Sequence, residues 1–132
     1  MKLLLDTNAY TGFCSRDQNI IKAVKNSTKI YLPFVVVAEL RVGFECGTKK
    51  KYNESLFNEF LEEKIVEILY PDNITIKQYS YIFKELRVKG SPIPTNDIWI
   101  AAIAVQHKIA LITKNSHFNK IDELLLYNEL KR

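Results

Sequence analysis

The apolar positions of this chain fall into short, sharply bounded runs. Leu3-Leu4-Leu5 is wholly apolar and stops at Asp6, the mark of a strand buried on both faces. Ile20, Ile21 and Val24 then repeat at helical spacing, and Lys29 to Leu32 reads as a second strand closed by Pro33. Leu56, Phe57, Phe60 and Leu61 form an apolar helical stripe, and Ile65 to Leu69 is a strand ended by Pro71. Tyr79, Ile82, Phe83 and Leu86 recur at i, i+3, i+4 and i+7, which predicts an amphipathic helix. After the Gly90, Pro92 and Pro94 loop, Ile98 to Val105 carries no charge and reads as a buried helix. Ile109 to Thr113 predicts another strand, and Leu124 to Tyr127 a last one. One run is ambiguous: in Phe34 to Phe44 the three valines favour a strand, whereas its length and the Pro before it favour a helix.

Strands alternating with helices predict βαβ units, a parallel sheet with helices on both faces. Such sheets bind ligands at the carboxyl ends of their strands, near the point where strand order reverses. At 132 residues the chain is read as one domain, 1–132, burying about two-thirds of its unfolded surface without a staple. Only four Gly and four Pro leave no room for a long flexible linker. The formal charge of +4 and the pI near 9.0 suit a polyanionic partner without proving one. The visible basic cluster, Lys49-Lys50-Lys51, follows Gly47 and reads as a solvated loop. Cys14 and Cys46 lie in no CxxC pair and at no zinc-ligand spacing, as expected of reduced thiols in a cytoplasmic protein. Leu3 to Leu5 is too short for a signal-peptide core, and no apolar run approaches the roughly 20 residues of a membrane span.

Three acids stand out against these apolar elements. Asp6 follows the first strand directly, at the end where ligands bind in this fold class, although an Asp or Thr there also suits the cap of the next helix. Glu39 lies inside an apolar stretch with Arg41 as its one charged neighbour, and two residues along a helix do not face one another. Its carboxylate therefore needs a remote partner or a metal ion. Asp97 opens the uncharged helix after Pro94-Thr95-Asn96; an acid there suits the helix dipole, but Thr95 or Asn96 already offers a cap. Converging carboxylates would repel one another without a cation, and a hard divalent ion takes oxygen ligands.

Asp6-Thr7-Asn8 after a short apolar strand, a lone Glu39, and Thr95-Asn96-Asp97-Ile98-Trp99-Ile100-Ala101-Ala102 together resemble the PIN-domain nucleases, most of all the VapC-type toxins of prokaryotic toxin–antitoxin pairs. The closing Leu111-Ile112-Thr113-Lys114-Asn115-Ser116-His117-Phe118, followed by Ile121, fits the same pattern. The resemblance runs over the whole chain. It implies a three-layer PIN-like fold with a short parallel sheet, places Glu39 on a helix, and implies a cytoplasmic homodimer held in check by a small cognate antitoxin. It also implies an Mg²⁺- or Mn²⁺-dependent endoribonuclease that hydrolyses RNA with a metal-activated water, leaving 5′-phosphate and 3′-hydroxyl ends.

Asp6, Glu39 and Asp97 fall on the family's principal acids. Asp6 and Asp97 are assigned to the metal, and Glu39 to the attacking water. Thr7, Asn8, Thr113 and Asn115 are expected to fix carboxylate rotamers by hydrogen bonds, and Lys114 and His117 to reach RNA phosphates. Trp99 and the aromatic residues at 79, 81 and 83 are expected in core or dimer packing rather than on bases. Many relatives carry a fourth acid where this chain has Asn115, which offers a carbonyl oxygen but no charge. One resident ion is therefore expected, with any second recruited by substrate. Two rival readings stay open: a non-catalytic RNA- or partner-binding module on the same fold, and an Asp-nucleophile phosphatase-type enzyme. The haloacid-dehalogenase type of phosphatase wants an Asp where Asn8 stands.

Overall fold

The computed structural model describes residues 1–127. Its centre is a sheet of four strands, β1 (Lys2–Leu5), β2 (Lys29–Pro33), β3 (Val66–Leu69) and β4 (Ala110–Ile112), in the order β3-β2-β1-β4, with every pairing parallel. Leu3, Leu4 and Leu5 have no exposed surface, as an unbroken apolar run in a parallel sheet requires. Six α-helices among the described residues flank the sheet: α1 (Thr7–Cys14), α2 (Gln18–Lys25), α3 (Phe34–Cys46), α4 (Lys50–Glu62), α5 (Asn73–Val88) and α6 (Thr95–His107). The predicted α/β class and parallel sheet stand.

The ambiguous run resolves as α3. Pro33 ends β2 with an extended backbone and sits at the N-cap, where its missing N–H costs nothing, and the helix runs on to a stop at Gly47. Val35, Val36, Leu40 and Phe44 are buried, a 3.6-residue stripe that the three consecutive valines disguised. Two expectations need correction. Lys50 and Lys51 belong to α4 rather than to a loop, and Lys50 pairs with Glu45 at 2.8 Å and Glu54 at 3.9 Å. Leu124 to Tyr127 makes no full strand, only one parallel bridge between Leu126 and Leu111; the preceding 3-10 helix, Ser116–Lys120, has turned the chain, so a single residue reaches the edge of β4.

The sheet order determines where chemistry can sit. The chain moves outward from β1 to β2 to β3 and then returns to the other side of β1 for β4. The reversal point lies between β1 and β4, and it opens a crevice at their carboxyl ends. Leu5 is in register with Ile112, so the residues that follow them, Asp6 and Thr113, emerge side by side.

Candidate active site

Asp6 does two jobs. Its Oδ1 accepts the backbone N–H of Ala9 at 2.8 Å and so caps α1, while its Oδ2 accepts the hydroxyl of Thr113 across the crevice. The capping and the site readings of Asp6 are therefore compatible. Only 3% of the residue is exposed. Burial above all, and then the charges of Asp97 and Glu39, push its carboxyl above the ordinary range, against the pull of the bonds from Thr113 and Ala9. That balance puts Glu39 of α3 and Asp97 of α6 within electrostatic reach of Asp6, which follows β1.

Glu39 projects from α3 and is held from two sides. The Thr7 hydroxyl donates to Oε1 at 2.7 Å, and the Asn96 side-chain amide donates to Oε2 at 3.4 Å. Among the described residues no Lys or Arg forms an ion pair with Asp6 or Glu39. Among the described residues, the remote salt bridge that would have explained Glu39 structurally is not there.

Asp97 lies in the first turn of α6, where the backbone N–H groups favour a negative charge. Pro94 rather than Thr95 or Asn96 occupies the N-cap, and it makes no side-chain cap. Asp97 instead turns its Oδ2 to the loop after β4, toward Nδ1 of His117 at 3.0 Å and Nδ2 of Asn115 at 3.5 Å.

Of the expected supporting residues, Thr7, Thr113 and Asn115 each bond one of the acids. Asn8 does not: it is exposed on α1, and its carbonyl accepts the hydroxyl of Thr11. Lys114 is tied to Asp17 at 2.5 Å, across the face of Gly12, and bonds none of the three acids. His117 stands on Asp97. Asn96 is a residue that the sequence reading passed over; its place beside the α6 acid was visible, but its reach to α3 was not. Trp99 stacks on Tyr79 at 4.1 Å and meets Phe34 edge-on at 5.9 Å, in keeping with the packing role expected of it.

The donor set suits a hard divalent cation: carboxylate oxygens at the mouth of a crevice, one of them raised in pKa by burial and then by the neighbouring acids. The side chains are, however, engaged with hydroxyl and amide donors. Among the described residues no three His, Cys, Asp or Glu side chains close into a ready-made ligand shell. An ion here would be held by one or two carboxylates, with water completing its sphere, as Mg²⁺ usually is. A cavity of about 760 Å³ lies elsewhere, between α1, α2, α4 and the β3 edge, lined by Phe13, Val24, Leu56, Phe60 and Ile65 among others. It contains none of the three acids and is not where they would act. Among the described residues no helix is long and apolar enough to cross a membrane.

Residues 3–124 match the PIN domain family model, and the chain belongs to that family. Within it the chain is similar to Ribonuclease VapC2 of Rickettsia felis, at 31% identity over 97% of this chain and 98% of that protein. The fold is similar to the solved structure of VapBC2 from Rickettsia felis bound to a DNA fragment from their promoter, with a TM-score of 0.84, 29% identity and coverage of 96% and 97%. VapBC-5 from Mycobacterium tuberculosis, a member of the VapBC family of toxin-antitoxin systems, shares the fold with a TM-score of 0.75 at 22% identity, over 95% of this chain and 96% of that one.

Proposed function

We propose that this chain is a metal-dependent endoribonuclease of the VapC type, the toxin of a toxin–antitoxin pair, acting through Asp6, Glu39 and Asp97. The single observation that carries the reading is the meeting of three carboxylates from three separate elements at the β1/β4 crevice, with no cation of the chain paired to Asp6 or Glu39 among the described residues. The name of the relative and the VapBC family of the neighbours support RNA as substrate and a small antitoxin as partner.

Asp6 and Asp97 would hold Mg²⁺ or Mn²⁺. The ion, when bound, lowers the pKa of water near it and offsets charge building on phosphate. Asp6 brings a carboxylate whose rotamer is pinned by Thr113 and the α1 N-terminus. Glu39, held by Thr7 and Asn96 and in no ion pair among the described residues, orients the attacking water and takes its proton. A pure binding module would gain nothing from uncompensated negative charge beside a phosphate backbone, and Asn8 removes the second Asp that a phosphatase of the haloacid type needs.

Two outcomes follow. Purified protein freed of any partner should cut RNA with Mg²⁺ or Mn²⁺ and stop in EDTA, and the same ions should raise its melting temperature; cleavage that persists in EDTA would remove the metal from the account. Thr113→Val should leave the fold intact and lower cleavage about 10–100-fold, the usual cost of losing a residue that orients a metal-binding carboxylate. A rate within twofold of wild type would show that the Asp6 rotamer needs no such support.

A further inference from the structure

The loop after β4 is built as a comb. Thr113 bonds Asp6, Lys114 bonds Asp17, and Asn115 and His117 both bond Asp97. Within it, we propose that His117 is a positioning residue for Asp97: its ring holds one carboxylate oxygen and leaves the other free, where it would serve a bound ion. This rests on the metal-dependent reading above.

The argument is geometric. An ionised carboxylate only accepts hydrogen bonds, so the Nδ1 atom 3.0 Å from Asp97 Oδ2 must carry the hydrogen. Oδ2 also takes the Asn115 amide at 3.5 Å, whereas Oδ1 has no hydrogen-bond partner among the described residues. The two oxygens are thus unequal, with one spent on the loop and one left over. His117 is in turn fixed from behind. The Asn115 Oδ1 accepts the His117 backbone N–H at 2.9 Å and caps the Ser116–Lys120 3-10 helix, while the Asn115 N–H donates to Thr113 Oγ1 at 2.9 Å. Phe118, with no exposed surface, anchors the helix in the core.

This also assigns Asn115 a role that a fourth acid could not fill. Its amide nitrogen faces Asp97, and its carbonyl oxygen is occupied by the backbone. It serves the loop and leaves ligation to the carboxylates. His117 itself is half-exposed, so replacing it removes a hydrogen bond without opening a hole in the core.

The test is Mn²⁺ binding to the full chain, free of partner and of RNA, followed by the electron paramagnetic resonance signal of free Mn²⁺. Melting curves check that each variant is folded. His117→Ala should weaken Mn²⁺ binding about tenfold. His117→Asn should restore it toward wild type, because the Asn Nδ2 can occupy the place of Nδ1 and donate to the same oxygen. In RNA cleavage, His117→Ala should need more metal yet approach the wild-type kcat once metal saturates. Unchanged Mn²⁺ affinity with a lower kcat would overturn the inference and make His117 a substrate contact. Failure of His117→Asn to recover affinity would overturn it as well. Mn²⁺ binding by a wild type that cuts no RNA would sink the proposed function but leave this inference to be decided by the affinities; no Mn²⁺ binding at all would end both.

Discussion

Asp6→Asn should abolish RNA cleavage, by about 10³-fold or more, while leaving the protein at least as stable as before at neutral pH. The two halves come from the same geometry. On the proposed reading, loss of the charge would remove a metal-holding carboxylate from a site whose electrostatics carry the reaction, and such losses are typically of this size. The neutral side chain keeps its structural duties: the Asn carbonyl can still accept the Ala9 N–H that caps α1, and its amide can donate to Thr113 once that hydroxyl turns. Burial and the neighbouring acids hold the Asp6 carboxyl above its ordinary 3.8, so the folded protein binds this proton more tightly than the unfolded chain does. The stability contributed by Asp6 is therefore full below pH 3.8 and is lost as pH rises through the raised folded-state value. Asp6→Asn removes that loss. Its stability should vary less with pH across the same window, as denaturant melts at several pH values would show. A variant markedly less stable than wild type at pH 7 would mean that Asp6 is foremost a structural cap.

Phe57→Ala should be the most damaging change to the fold, costing about 3–5 kcal/mol. Phe57 has no exposed surface and holds α4 against two neighbours, meeting Tyr10 of α1 edge-on at 5.2 Å and Phe44 of α3 at 5.9 Å, with the Arg41 guanidinium 5.2 Å over its ring. Removing the ring leaves a cavity in contact with the helix that Asp6 caps and the helix that carries Glu39. Against a total stability of about 5–15 kcal/mol this is a large fraction, and the melting temperature should fall by roughly 10–20 °C. A fall of only a few degrees would mean that the Tyr10 and Phe44 rings repack around the gap. Cleavage measured well below the new melting point should drop less than in Asp6→Asn, because the carboxylates remain.

The site was legible in part because its acids break local rules. An acid at the end of an apolar strand, an acid inside an apolar helix and an acid opening an uncharged helix are each conspicuous without any knowledge of what they face. The rule that parallel sheets bind at strand carboxyl ends pointed to Asp6; that Glu39 and Asp97 join it came from the resemblance to the PIN-domain nucleases. What stayed hidden depends on contacts between distant parts of the chain. That β4 returns to lie beside β1, so that Thr113 meets Asp6, is a matter of sheet order, which no local pattern encodes. Lys114 and His117 read as candidate phosphate contacts; that they also pair with Asp17 and Asp97 was hidden, because nothing near them in sequence revealed those partners. Asn8 failed for a simpler reason: on a helix, the residue after Thr7 turns away from the face that Thr7 shares with Glu39. The Phe34 to Phe44 run was ambiguous because a helix buried along one wide stripe can contain three valines in succession, which mimic a strand.

The central claim is that Asp6, Glu39 and Asp97 form one metal-dependent centre that cuts RNA. The most direct test is to incubate partner-free wild type, Glu39→Gln and Asp97→Asn with total cellular RNA, each in Mn²⁺ and in EDTA, and to map the fragment ends. Discrete cuts by the wild type in Mn²⁺ alone, with 5′-phosphates at the new ends and both variants silent, are the result predicted. Cuts that survive in EDTA or in either variant, or a folded, partner-free wild type that leaves RNA intact in every metal, would contradict it.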